Sequence, residues 1–248
     1  MTVKDVYDFL DFIAPFETQC EWDNCGLSVG SMDKEVNKIY LALDVTSQVI
    51  EDAKAFGADL VVTHHPLIFN PVTAVKESSV LYKAVASGMS FLSSHTCLDK
   101  ALGGVNDCLA RVLGIKNIKT SHIDGCLKIG EVNEILPSDF AENLKNTLGG
   151  GVAFTDCGKP IKKIAFCSGG GGDFITAASE LGADALLTGE AKHHEFLASG
   201  EMGVSLFAAG HYETERVVLP YLKRLLGMKF GENIEVVISG LEAPVKYI

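Results

Sequence analysis

The feature that most constrains this chain is that it repeats itself. Displaced by 125 residues, Lys38-Ile39 falls on Lys163-Ile164, Gly57-Ala58-Asp59 on Gly182-Ala183-Asp184, and Thr63 on Thr188, with apolar positions matching between them and no gap. Self-similarity of this kind marks a duplicated folding unit. Each copy reads as strand, helix, strand. In the first, residues 39–43 form an apolar strand; Ser47 caps a helix with Val49, Ile50, Ala53 and Phe56 inward; Gly57 ends it; and residues 60–63 form the next strand. Such crossovers build parallel sheets. The expected fold is α/β, with two related halves produced by internal duplication, residues 1–126 and 127–248, and a C-terminal strand able to pack back on the first half.

The second strand of the first copy ends abruptly in His64-His65-Pro66. The proline disfavours helical backbone at His65, so two imidazoles are delivered to a strand end, the edge at which open α/β sheets bind ligands. Adjacent side chains diverge there, and each can hold one ion of a close pair. Two further pairs stand after apolar strands, one in each half: His95-x-x-x-Asp99 and His211-x-x-x-Glu215. If the backbone turns helical there, residues four apart share a face and can share a metal. After His211, Pro220 must kink the following helix or begin a new one. Imidazole and carboxylate together suit zinc, iron, manganese or nickel.

Before the first copy, Thr2 is placed to cap a helix carrying Val6, Phe9, Leu10 and Ile13 on one face and stopped by Pro15. The turn-rich Glu21-Trp22-Asp23-Asn24-Cys25-Gly26-Leu27 holds the sole tryptophan, which predicts a loop pinned by a buried ring. Ser168-Gly169-Gly170-Gly171-Gly172-Asp173 follows a strand, but it lacks a Walker lysine or a G-x-G-x-x-G fingerprint. It therefore reads as a βα turn in preference to a phosphate cradle.

Composition excludes several classes. No apolar run approaches the roughly 20 residues that span a bilayer, and Asp5, Asp8 and Asp11 interrupt the N-terminus, so neither membrane insertion nor a signal peptide is expected and the location reads as cytoplasmic. A formal charge of -11 argues against broad contact with nucleic acid. Seven cysteines without a Cys-x-x-Cys pair indicate neither a disulfide framework nor a zinc ribbon.

Thr63-His64-His65-Pro66-Leu67-Ile68-Phe69, His95-Thr96-x-Leu98-Asp99-x-Ala101-x-Gly103-Gly104-Val105-Asn106-Asp107, Leu187-Thr188-Gly189-Glu190-x-x-His193-His194 and Gly210-His211-Tyr212-x-Thr214-Glu215 resemble the signature blocks of the GTP cyclohydrolase 1 type 2 homologues, or NIF-three-like proteins. Trp22-Asp23-Asn24-x-Gly26-Leu27 is similar to the family's N-terminal block. The resemblance spans nearly the whole chain. It implies a dinuclear metal site between the halves, with ligands at His64, His65, Asp99, His211 and Glu215, and a toroidal homohexamer. Longer members carry an inserted third domain, for which an offset of 125 leaves no room.

The resulting expectation is a hydrolase that uses two divalent ions per chain on a small-molecule substrate, a nucleotide or related heterocycle. The family name frames the reaction as opening of the imidazole ring of GTP with formate release. His95, surplus to the implied ligand set, then either orients a ligand or serves as general base. Glu190, His193 and His194 are further candidates for the cavity lining or for structural roles. The alternative is a non-catalytic, metal-binding hexameric scaffold or regulatory interaction protein, because a metal site alone does not fix a reaction.

Overall fold

The computed structural model describes residues 1–231 and 234–247. The chain divides into two compact units: Met1–Leu102 with Leu219–Glu242, and Gly103–Val218 with Ala243–Ile248.

In the first unit, helix α1 (Val3–Ile13) begins at a capping box in which the Thr2 side chain accepts from the Asp5 backbone N–H while the Asp5 side chain accepts from that of Thr2. Strand β1 (Gly26–Val29) follows, then β2 (Lys38–Ala42), α2 (Ser47–Phe56), β3 (Leu60–Thr63), α3 (Val80–Ala86), β4 (Ser90–Ser93) and the short α4 (Thr96–Lys100). The cap of α2 is Thr46 and not Ser47: its hydroxyl accepts from the Val49 N–H, which leaves Ser47 as the first helical residue. The sheet order is β1-β4-β3-β2-β11, where β11 (Glu235–Ile238) runs parallel to β2 and β1 is antiparallel to β4. Helix α10 (Leu219–Phe230) starts afresh with Pro220 in its first turn, and Phe230 meets Phe9 edge to face at 5.7 Å.

The second unit opens with α5 (Val105–Leu113) and the edge strand β5 (Lys116–Thr120). It continues through β6 (Lys128–Ile135), α6 (Pro137–Leu148), β7 (Ala153–Phe154), β8 (Ile161–Cys167), α7 (Ile175–Glu180), β9 (Ala185–Thr188), α8 (His193–Met202), β10 (Ser205–Ala208) and α9 (His211–Glu215). Its sheet order is β5-β6-β8-β9-β10-β7, with β8, β9 and β10 parallel and the other pairings antiparallel. Fully buried Phe166 and Phe207 anchor a core shared with Leu109, Leu144, Ile161 and Ile164.

The repeated Gly-Ala-Asp has one physical job in both units. Gly57 and Gly182 adopt left-handed backbone (φ +79° and +67°), which turns the chain out of the helix. Ala58 and Ala183 are buried beneath that turn. Asp59 then accepts the N–H groups of Asn37 and Lys38, and Asp184 those of Lys162 and Lys163, tying the starts of neighbouring strands together. Strand register repeats with them: Ile39 faces Leu60 as Ile164 faces Ala185, and Leu60 faces Ser90 as Ala185 faces Ser205. Among the described residues, no helix is long and apolar enough to cross a membrane.

Candidate functional site

In the first unit, parallel pairing continues past the end of β3 and sets the double histidine. The His64 N–H reaches the Ala42 carbonyl at 3.3 Å, and that of His65 reaches Leu43 at 2.8 Å. Next to β3, strand β4 delivers Ser94 and His95, after which the chain turns into α4 carrying Asp99. The assumed helix at His95-x-x-x-Asp99 therefore forms, with the Asp99 N–H on the His95 carbonyl at 3.1 Å.

The three imidazoles cluster. Ring centroids are 4.9 Å apart for His64–His65, 5.0 Å for His64–His95 and 5.2 Å for His65–His95. One ligand-capable nitrogen from each lies within 4.8 Å of the others. His64 Nδ1 lies 3.0 Å from the Ser94 carbonyl oxygen, which can only accept, so Nδ1 carries the proton and Nε2 the lone pair. His65 Nδ1 sits 2.9 Å from Asp44 Oδ1 and His95 Nδ1 2.9 Å from Asp23 Oδ1, the same logic with a carboxylate as acceptor. All three rings thus engage Nδ1 with an acceptor and present Nε2, the arrangement in which outer hydrogen bonds orient imidazoles towards a metal. His64 Nε2 is 3.6 Å from Asp99 Oδ1, and the His64 ring is fully buried.

Asp23 is the residue that the sequence reading quoted within a motif but did not place in the site. Burial works against its ionisation, yet hydrogen bonds from His95 and Thr96 outweigh burial and hold its carboxyl well below the usual carboxylate range. The Thr96 N–H reaches Asp23 Oδ2 at 3.0 Å, and the Thr96 hydroxyl donates to the same oxygen while accepting from the Cys20 N–H. The loop is therefore held by polar contacts. Trp22, expected to pin it from inside, is 62% exposed and touches His95 edge to face at 5.8 Å. Phe69 meets the same imidazole at 5.5 Å, and Asn24 Nδ2 bonds the Ile68 carbonyl, joining the loops that carry the two aromatics.

In the second unit, α9 places His211 Nε2 3.1 Å from Glu215 Oε1, while His211 Nδ1 is 3.3 Å from Glu190 Oε2. Beside them runs the glycine loop after β8. Gly169 has φ +63°, and a Cβ there would stand 2.2 Å from Glu215 Oε1 and 3.1 Å from His211 Nε2, so only glycine leaves this carboxylate–imidazole pair its space. The Gly169 N–H donates to Thr214 and that of Gly171 to Thr188, which commits two loop donors internally, while buried Asn106 accepts the Ser168 N–H. His193 and His194 are exposed in the first turn of α8, and among the described residues neither belongs to a metal-capable group.

A mixed α/β chain whose strand ends carry imidazoles and carboxylates able to hold a metal ion defines a class of candidate metal proteins. The comparisons narrow it. The profile of the Duf34/NIF3 (NGG1p interacting factor 3) family matches residues 1–244, and the chain belongs to that family. It is 32% identical to the "GTP cyclohydrolase 1 type 2 homolog" of Clostridium perfringens over 252 residues, covering 96% of each chain. It is 33% identical to the "GTP cyclohydrolase 1 type 2" of Helicobacter pylori strain J99, covering 99% of each. The crystal structure of Staphylococcus aureus protein SA1388 superposes with a TM-score of 0.92 at 31% identity, covering all of this chain and 99% of that one.

Proposed function

We propose that the chain is a metal-dependent hydrolase acting on a nucleotide or related heterocycle, with His64, His65, Asp99, His211 and Glu215 as the ligands of two divalent ions. The observation that carries the reading is the shared arrangement of His64 and His65, each with Nδ1 engaged by an acceptor, which makes Nε2 the ligand atom. The space kept for His211 and Glu215 by Gly169 fits the same purpose. Bound there, the ions supply Lewis-acid polarisation of the substrate and a water acidic enough to ionise near neutral pH.

The chain's own residues supply the rest. His95 takes the substrate-side proton at Nε2, because Asp23 holds Nδ1–H and stabilises the imidazolium that forms. Trp22 and Phe69, aromatic and partly exposed against His95, offer surfaces on which a planar heterocycle stacks. The relatives named for GTP cyclohydrolase activity support a guanine nucleotide as the first substrate to try. We further infer that the repeated register and Gly-Ala-Asp junctions reflect duplication of one α/β unit, and that six chains assemble into a ring.

The test is turnover of GTP by protein loaded with zinc, manganese or iron, followed by formate release. His95→Ala is expected to lower kcat at least a hundredfold with metal content retained. Full metal loading without turnover of any nucleotide would support the scaffold reading instead.

A further inference from the structure

Two thiols at the edge of the histidine cluster are unused by that function. Cys25 follows Asn24 in the loop that carries Asp23, and Cys97 is the second residue of α4, between His95 and Asp99. They are 72 residues apart in sequence, yet their sulfur atoms lie 3.4 Å apart.

The surroundings favour reaction between these sulfurs over separate fates. The His95 N–H donates to Cys25 Sγ at 3.2 Å, and Ser94 Oγ lies 3.3 Å from Cys97 Sγ, so each sulfur is held in place by a neighbour of His95 or by its backbone. Cys25 is partly exposed whereas Cys97 is buried, which makes Cys25 the sulfur that a small oxidant meets first. We propose that Cys25 and Cys97 form a redox-active dithiol whose oxidation to a disulfide loosens the metal site. A hydroperoxide is the oxidant. Cys25 Sγ attacks its terminal oxygen, the O–O bond breaks, and Cys25 becomes a sulfenic acid as the alcohol, or water from hydrogen peroxide, departs. Cys97 Sγ then attacks Cys25 Sγ, expelling water and closing the S–S bond. Two electrons pass from the dithiol to the peroxide, and the two thiol protons leave in the products.

A disulfide needs its sulfurs about 2.05 Å apart. Closing the gap from 3.4 Å moves the loop and the start of α4 towards each other. Cys25 is two residues from Asp23, and Cys97 is two residues from both His95 and Asp99, so the movement falls on the groups that orient and hold the ions. This coupling rests on the metal-site reading; the disulfide itself does not.

The experiment treats zinc-loaded protein with stoichiometric hydrogen peroxide, blocks remaining thiols in denaturant, and maps the peptides by mass spectrometry. The expected result is one cross-linked Cys25–Cys97 peptide pair, five of the seven thiols still alkylated, and recovery of all seven after dithiothreitol. In Cys97→Ser, a dimedone adduct on Cys25 is expected in place of the cross-link. Zinc affinity of the oxidised protein, measured by chelator competition, should fall at least tenfold and return on reduction. Alkylation of Cys25 and Cys97 after the peroxide treatment would overturn the dithiol, whatever the variant does. A cross-link with unchanged zinc affinity would overturn the coupling. Failure of the reduced protein to bind zinc would instead count against the metal-site reading and leave the cross-link result standing.

Discussion

The carboxylate of Asp23 lies 2.9 Å from Nδ1 of His95, across a sequence separation of 72 residues. Its side chain is fully buried and takes further hydrogen bonds from Thr96, so it both orients an imidazole and closes a loop. Asp23→Asn keeps the volume but removes the charge and one acceptor. Such a change at a buried, satisfied carboxylate costs about 1–3 kcal/mol of stability at pH 7. The sign with pH follows from the lowered pKa. A carboxyl depressed on folding contributes its stability above the unfolded value, about 4, and loses it as pH falls towards the folded value. Denaturant unfolding at pH 7 and pH 3 should therefore show the wild-type advantage over Asp23→Asn shrinking in acid, and an advantage that stays constant would contradict this assignment.

Gly169→Ala tests whether space beside Glu215 matters. The new methyl must displace a carboxylate oxygen 2.2 Å away, and the left-handed backbone adds about 1–2 kcal/mol of strain for a residue with a Cβ. Metal affinity should drop at least tenfold and the melting temperature should fall. Gly170→Ala is the internal control, because nothing lies within 4 Å of its Cβ position and its backbone is not left-handed. Equal metal affinity in the two variants would separate the glycine loop from the site.

Glu215→Gln removes one charged ligand from the proposed five. Elemental analysis after dialysis should show fewer than the about two ions per chain expected of the wild type, with circular dichroism unchanged. Undiminished metal content would take Glu215 out of the ligand set.

Much of this arrangement was legible in the sequence because it is written in local signals. The strand, helix, strand rhythm around Gly57-Ala58-Asp59, the histidines at the end of β3 and the four-residue spacings at His95 and His211 all depend on neighbours in the chain. What escaped depends on distant partners. Asp23 in a loop rich in turn residues looks like a turn residue until His95 arrives beside it, and Trp22 proved an exposed aromatic because hydrogen bonds accepted by Asp23 and Gln19 and donated by Asn24, not a buried ring, hold that loop. Strand β5 shows no apolar alternation, since all five of its residues are exposed at a sheet edge. Helix α5 has an apolar face but nothing in it names the sheet that the face covers; Asn106, holding Ser168 and the Cys126 carbonyl, settles that it packs in the second unit.

Trp22 offers a direct optical probe of substrate, being the sole tryptophan and partly exposed against His95. Stacking of a purine should quench its fluorescence saturably, and ribose 5-phosphate should not. Phe69→Ala should raise the half-saturation concentration several-fold, in keeping with about 0.5–1.5 kcal/mol for an aromatic pair. Identical quenching by both compounds would remove the stacking role.

Assembly is the last expectation, and charge makes it a demanding one. A chain with a formal charge of -11 repels its copies, so a stable ring requires acidic groups away from the contacts and apolar groups across them. In the apolar stretches from Phe16 to Trp22 and from Leu67 to Phe69, Phe16 is buried in its own unit and Leu67 packs on the first sheet's core, which leaves Trp22 and Phe69 as the exposed aromatics there. Leu102, 94% exposed, and Phe12, 83% exposed, are further apolar side chains uncovered within a single chain. Light scattering coupled to gel filtration should give about six times 26.5 kDa at moderate salt. Lowering the salt lengthens the range of repulsion between copies, from about 10 Å at 0.1 M to about 30 Å at 0.01 M, so any dissociation should appear at the low end. A monomer mass at micromolar concentration and moderate salt would rule out the ring.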